Sequence, residues 1–211
     1  MIAALLLAAG SSKRMGQPKM LLPWGHTTVL GQVIETLKSA DIEDILVVTG
    51  GAREQVEQII TQYALRSIRN PDHVTGEMLS SIQVGIRVLS LPSSVVGTVG
   101  GRAGGEGQRQ PDAALIVLGD QPQIEARSVR AVAERFRETG SGLVVPSFQM
   151  RRGHPWLAAR PLWAEIEALR PPQTPRDFLN IHAADIEYVN VDSPSILADL
   201  DTPEDYLKSR P

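Results

Sequence analysis

Strand-like and helix-like stretches alternate along the chain, each with its own spacing of apolar side chains. IAALLLA at 2–8 is a continuous apolar run, the pattern of a central parallel strand covered on both faces. TVLGQVIETLKSA at 28–40 sets Val29, Val33, Ile34 and Leu37 at helical spacing, and DILVVTG at 44–50 is a second buried strand ended by glycine. REQVEQIITQY at 53–63 reads as an amphipathic helix, and RSIRN at 66–70 as a short strand halted by Pro71. EMLSSIQVGIRVLS at 77–90 carries Leu79, Ile82, Ile86 and Leu89 on one face. AALIVLGD at 113–120 is the most strand-like segment and ends in an acid. SVRAVAERFRE at 128–138 aligns Val129, Val132 and Phe136 as a helix would, and SGLVVPS at 141–147 reads as a further strand. Strand, helix, strand in repetition predicts an α/β protein with a doubly wound, mostly parallel sheet.

Composition narrows this only a little. A length of 211 residues is most simply one domain spanning 1–211, and 42% hydrophobic with 21% charged residues is ordinary for a globular chain. A formal net charge of −3 argues against general binding to nucleic acid or an anionic membrane. Any anion site must then be a local concentration of cations. The absence of cysteine excludes disulfides and thiolate metal sites. The first ten residues lack a basic lead, and their apolar run falls short of the ~20 residues of a membrane span. They read as a first strand, and the protein is expected to be cytoplasmic. One low-complexity stretch, GTVGGRAGGEGQRQP at 97–111, has six glycines and no apolar period, and is expected to be a mobile surface loop.

In open α/β sheets ligands sit at the carboxyl ends of the strands, so the strand exits carry the candidate chemistry. The first exit is Gly10-Ser11-Ser12-Lys13-Arg14-Met15-Gly16-Gln17-Pro18-Lys19. It is neither a Walker A loop nor a G-x-G-x-x-G fingerprint. Its small residues still allow backbone N–H groups close to an anion, and its cations offset the charge, so it reads as a phosphate cradle or as a solvated basic turn. Asp120 follows a buried strand, which suits Mg²⁺ or an Asx cap on the next helix. Near the C-terminus, ILADLDTPEDY at 196–206 offers Asp199 and Asp201. There Pro203 fits a first helical position, with either Asp201 or Thr202 as the cap.

Together these stretches resemble a known family. LAAGSSKRMGQPK (7–19) is similar to the signature L-A-A-G-x-S-x-R-M-G-x-x-K of the MobA-like nucleotidyltransferases of molybdenum cofactor biosynthesis, and LGDQP (118–122) and DLDTPEDY (199–206) also fit. Within that family the chain resembles the cytidylyltransferases. The resemblance implies a Rossmann-like sheet of the nucleotide-diphospho-sugar transferase type. It implies that Gly10, Ser11, Ser12, Arg14, Met15 and Gly16 wrap the β- and γ-phosphates, with Lys19 on the α-phosphate. Asp120 and Asp201 would hold Mg²⁺, with Asp199 as substitute or helper. Leu7, Ala8 and Ala9 would meet the base through backbone groups. GEMLSSIQVGI (76–86) resembles the family's G-x-x-x-S-S-x-x-x-G-[LI] segment, which makes Gly76 and Ser81 base contacts. GHP (153–155) places His154 on the acceptor side. His26, His73 and His182 match no motif and read as surface or satisfied polar residues. Trp24 and Trp163 read as packing; Trp156, beside His154, stands apart from them. The glycine-rich insertion at 97–110 departs from the family pattern.

The implied activity is Mg²⁺-dependent transfer of CMP from CTP to a phosphorylated acceptor, the molybdenum cofactor, with release of pyrophosphate. Lys19, Arg14 and Asp120 would carry the chemistry, and a molybdoenzyme or its chaperone would be the protein partner. Rival readings are a transferase of the same fold using GTP or a sugar phosphate, and a catalytically inactive nucleotide-binding or regulatory module. A nicotinamide-dependent oxidoreductase is disfavoured by the missing G-x-G-x-x-G.

Overall fold

A computed structural model describes residues 1–10, 12, 14–74, 77–91 and 110–211. In chain order its elements are β1 (Ile2–Ala8), β2 (Pro23–Trp24), β3 (Thr27–Thr28), α1 (Val29–Ser39), β4 (Asp44–Thr49), α2 (Arg53–Gln62), β5 (Arg66–Arg69) and α3 (Glu77–Ser90). There follow β6 (Ala113–Leu118), α4 (Ala126–Thr139), β7 (Leu143–Phe148), β8 (Arg151–Arg152), β9 (Trp156–Ala159), α5 (Trp163–Ala168), α6 (Pro175–Ile181), β10 (Ile186–Asn190) and α7 (Pro203–Ser209). The main sheet runs β10-β7-β9-β6-β1-β4-β5, with β8 paired to β7, and β2 and β3 form a separate ribbon. β9 is antiparallel to both β6 and β7, and β8 to β7; the other pairs of the main sheet are parallel. The expected α/β class and mostly parallel sheet are therefore found.

β1 shows why a continuous apolar run was needed. Ala4, Leu6 and Ala8 pack among Leu30, Ile34, Val56 and Val132 on one face of the sheet. Ala3, Leu5, Leu7 and Ala9 pack among Ile82, Ile86, Trp163 and Phe178 on the other. Both faces are covered, so neither parity of the strand tolerates a polar side chain. On the second face α3 lies almost on β1: a Cβ at Gly85 would come within 2.0 Å of Leu5 Cδ1. That close approach requires glycine, and it fixes the turn of α3 carrying Ser81 over the end of the strand.

Each element expected between residues 2 and 148 is present, with ends shifted by one or two residues. The strand expected over 113–120 stops at Leu118, and the turn after it belongs to the site. Gly119 there donates its N–H to the Leu7 carbonyl at 3.0 Å, and a Cβ on it would lie 2.9 Å from that oxygen. The glycine lets the Asp120 turn close against β1. Ser11, Lys13, Thr75, Gly76 and residues 92–109 lie outside the described residues, and with them most of the glycine-rich stretch. Among the described residues no helix is long and apolar enough to cross a membrane.

Candidate active site

β1 leads through α1 to β4 on one side of the sheet, whereas β6 pairs on its other side. The carboxyl ends of β1 and β6 thus form a topological switch point, where neighbouring connections part and leave a crevice. A cavity of about 470 Å³ opens there, with Ala9, Gly10, Lys19, Ser81, Asp120 and Asp201 in its wall.

Lys19 is the centre of one end. The loop after β1 folds back so that Lys19 N–H donates to Ser12 Oγ at 3.1 Å. Met15, on the same loop, is buried with Leu22, Trp24, Val29 and Leu200, which ties the loop to the C-terminal segment. That segment is tied in turn to the Asp120 turn, because Leu200 N–H donates to the Asp120 carbonyl at 3.0 Å. Three stretches far apart in sequence therefore converge on one ammonium group. Lys19 Nζ pairs closely with Asp120, lies 3.3 Å from Asp201 Oδ1 and donates to the Leu200 carbonyl at 3.0 Å. Arg14 reaches the other oxygen of Asp201 at 2.9 Å.

Lys19 is only 8% exposed. Burial alone pulls an ammonium's pKa down, but the Asp120 and Asp201 carboxylates outweigh it and hold Lys19 above its ordinary value. It stays charged through the neutral range. Asp199 is raised too, which for a carboxyl favours the neutral form: loss of solvent lifts it above the usual range, and the charges of Asp120 and Asp201 raise it further.

The local sequence explains why both acids are free for this work. Thr202 caps α7, accepting from Asp205 N–H at 3.2 Å while Asp205 Oδ2 accepts from Thr202 N–H at 2.9 Å, and Pro203 takes the first helical position. Thr202, not Asp201, is thus the cap. α4 starts after Glu125, so Asp120 caps no helix.

The model of the MobA-like NTP transferase domain matches residues 4–187. The chain belongs to this family. As a member it is a nucleotidyltransferase, an enzyme that takes a nucleotide substrate. The molybdenum cofactor cytidylyltransferase of Escherichia coli (strain K12) is 25% identical to it over 209 residues, covering 99% of this chain and 95% of that one. Among solved structures, a nucleotidyl transferase from Methanothermobacter thermautotroptrophicus superposes with a TM-score of 0.76 at 24% identity, covering 100% of this chain and 96% of that one. Rv0371C of Mycobacterium tuberculosis H37Rv, solved in complex with manganese, gives a TM-score of 0.69 at 22% identity and covers 98% of this chain and 96% of that one.

The transferase fold gathers most of the residues its sequence singles out, though not all in the expected way. Leu7, Ala9, Gly10, Ser12, Arg14, Met15, Lys19, Ser81, Asp120 and Asp201 all line the cavity, as does Asp199. Ala8 turns its side chain to the opposite face, among Leu6 and Met20. Gly16 is absent from the cavity wall; with φ at +68° it makes the turn that returns the loop toward Lys19. Ser11 and Gly76 fall outside the described residues. Lys19 stands between the two carboxylates in this structure, where the family resemblance put it on a phosphate and the acids on a metal.

His154 lies apart from that group, in an adjoining cavity of about 1150 Å³ that shares Met78 with the first. Its Nδ1 faces the Ile116 carbonyl at 3.4 Å. Burial pushes its pKa down to about 4, against smaller opposing effects of that carbonyl and of Asp199. A neutral ring with Nδ1–H turned to a carbonyl presents Nε2 as an acceptor. Trp156 lines the same cavity but is 2% exposed and packs near Phe178, so it is chiefly core.

This shift has a measurable consequence. The unfolded ring titrates near 6.5 and the folded one near 4. Between those values the unfolded chain binds a proton that the folded chain does not, so stability is lost as pH falls from about 6.5 toward 4. Urea midpoints measured at pH 7 and pH 5 should differ less in His154→Gln than in the wild type. Equal pH slopes in the two proteins would contradict the burial of a neutral ring.

His73, Val74 and Met78 line the cavity without having been expected there, and buried Asn70 lies behind them, bonded to Ser81. His73, read from sequence as a surface or satisfied polar residue, does have a partner, the Asn70 carbonyl 3.1 Å from its Nδ1, but it also stands in the cavity wall. A usable signal was the position of NPDHV directly after the carboxyl end of β5. By contrast His26, 3.0 Å from Glu35, and His182, 2.9 Å from Glu165, are satisfied as expected. Trp24 packs in the small core beside Met15, and Trp163 is buried with its Nε1 donating to the Ala158 carbonyl at 3.0 Å.

Proposed function

We propose that this nucleotidyltransferase moves CMP from CTP to a phosphorylated acceptor, with Mg²⁺ as cofactor and the molybdenum cofactor as acceptor. The observation that carries the reading is the meeting of Lys19, Asp120 and Asp201 at the β1–β6 switch point. In the reaction an oxygen of the acceptor phosphate bonds to the α-phosphorus, the bond from that phosphorus to the β-phosphate oxygen breaks, and pyrophosphate leaves. An acceptor phosphate is already ionised at neutral pH, so the protein has little proton transfer to perform. Its contributions are positioning and stabilisation of charge.

The donor set fits a divalent cation. Asp120 and Asp201 already converge on one positive centre, Lys19 Nζ, which supports the reading that they share a cation, with substrate phosphates completing its ligands. Three carboxylates in the cavity wall, with Asp199, face only Lys19 and Arg14 among its described cations. Such a site repels a triphosphate unless more positive charge enters with it. Mg²⁺ typically binds through one or two carboxylates together with substrate phosphates. When bound it would supply charge stabilisation to the phosphates. The manganese complex of Rv0371C is in keeping with a divalent ion in this fold. Lys19 and Arg14 then hold the phosphates, and Gly10 and Ser12 let the loop backbone approach them.

The second cavity suits the acceptor. Arg152, held by Tyr188 Oη at 2.8 Å and Asn180 Oδ1 at 2.9 Å, gives its wall a fixed cation, and His154 adds a neutral acceptor. The name of the Escherichia coli relative supports the choice of both CTP and the molybdenum cofactor.

Ala9 underlies the choice of CTP over GTP. It is 6% exposed just after β1 and stands in the cavity wall; with the base against it, its methyl would take space a purine needs. Steric rejection of this kind is an economical route to specificity. The expected preference is at least ~10-fold in kcat/KM for CTP, equivalent to ~1.4 kcal/mol. Ala9→Gly should narrow the gap by improving GTP and leave CTP nearly unchanged. Steady-state kinetics with both nucleotides checks this, and equal use of the two by the wild type would contradict the choice of CTP.

A further inference from the structure

Asn70 holds the other end of the cavity together. It is 0% exposed, at the carboxyl end of β5, and its N–H donates to the Thr49 carbonyl at 2.8 Å. Its side-chain Nδ2 donates to Ser80 Oγ at 2.8 Å and to Ser81 Oγ at 2.9 Å, while Oδ1 accepts from Asp72 N–H at 2.9 Å. An amide engaged at both ends is held in one orientation. The backbone carbonyl of the same residue lies 3.1 Å from His73 Nδ1.

These contacts fix which group each neighbour shows to the cavity. A carbonyl can only accept, so in the neutral ring Nδ1 of His73 carries the proton and Nε2 keeps a lone pair. Ser81 Oγ accepts from Asn70, which leaves its own hydroxyl proton to donate. His73 and Ser81 both line the cavity, beside Ala9 and Leu7. The base end thus offers one acceptor and one donor, both hung on a single buried asparagine.

From this pairing, and resting on the CTP reading above, we infer that His73 is a specificity residue that accepts from the exocyclic amine of cytosine, and that Asn70 positions it. The cytosine edge carries an amino donor next to a ring-nitrogen acceptor. Uracil carries a carbonyl and a ring N–H in those places, so both partners are reversed. Ala9 selects by size and would pass either pyrimidine; His73 separates the two. A site built to hydrogen-bond one edge strongly disfavours an analogue that leaves its buried polar groups unpaired.

The test is a set of dissociation constants for CTP, UTP and GTP, measured by calorimetry on the wild type and on His73→Phe, which keeps a ring but no acceptor. The wild type is expected to bind CTP ~10-fold or more tightly than UTP, the scale of one well-made hydrogen bond. His73→Phe should lose that ratio through weaker CTP binding, while its affinity for inorganic pyrophosphate and its melting temperature stay near wild type. Those two controls separate a lost base contact from a damaged fold. Asn70→Ala is expected to lose the same ratio, whatever stability it also loses. A His73→Phe protein that keeps the wild-type CTP-to-UTP ratio would overturn the role of His73 and leave the CTP reading standing. A wild type that binds GTP more tightly than CTP would overturn both.

Discussion

Lys19→Ala is expected to lower kcat by ~10²-fold or more, the scale for losing one charged group aimed at a developing negative charge. The nucleotide KM should change less. In the free protein this ammonium is already engaged by Asp120, Asp201 and the Leu200 carbonyl, so its attraction for an incoming triphosphate is partly spent. In the proposed reaction its full charge would become available once those carboxylates held another cation, and demand for it would be greatest as charge builds on the transferring phosphoryl group. Removing it also leaves Asp120, Asp199 and Asp201 facing one another with only Arg14 as a described cation in the cavity wall. Steady-state kinetics separates the two effects. A variant with raised KM and unchanged kcat would make Lys19 a ground-state contact.

Asp120→Asn and Asp201→Asn should each nearly abolish turnover, because the pair is taken to share the metal. Their costs in stability should differ. The Asp120 side chain is 17% exposed and is the closest partner of buried Lys19, whereas Asp201 is 45% exposed and half engaged with solvent-facing Arg14. Taking one partner from a buried pair strands the other charge, whereas exposed pairs contribute ~0–1 kcal/mol. Asp120→Asn is therefore expected to lower the melting temperature clearly, and Asp201→Asn hardly at all. Thermal denaturation beside an activity assay checks both halves. Wild-type activity in both single variants would remove the metal assignment, and equal melting temperatures would contradict the asymmetry in burial.

Much of this was legible in the chain itself. The longer elements up to residue 148 announce themselves because they have enough residues to show a period: seven apolar positions in β1, and helices of ten to fourteen residues in α1 to α4. Four-residue β5 was marked by Pro71 after it, whereas two-residue β2 and β3 were not legible. The later part does not. β9 is four residues, α5 six and α6 seven, too short for a strand alternation or a helical stripe to stand out. The antiparallel insertion of β9 between β6 and β7 is also a property of pairing, which no local pattern encodes.

The site divides along the same line. Its Lys19 end gathers residues that stand in three motifs in order, Lys19 and Asp120 after the exits of β1 and β6 and Asp201 just before α7, and these were legible as a set rather than singly. What could not be read was that Lys19 would bridge the two acids, since that depends on the Ser12 contact and on Leu200 binding back to the Asp120 turn. At the other end Asn70 and His73 carry no motif. Their importance comes from burial and from hydrogen bonds across a turn, and neither is visible in residue type alone.

Transfer of a nucleotidyl group from CTP, with pyrophosphate as the leaving group, is the reaction proposed for this site. It is tested most directly by following CTP labelled separately at the α- and γ-phosphates, with Mg²⁺ and a panel of phosphorylated acceptors that includes the molybdenum cofactor. The expected result is α-label appearing in the acceptor and γ-label in pyrophosphate, in equal amounts and only when an acceptor is present. Release of γ-label as orthophosphate, with no α-label passing to any acceptor, would contradict it.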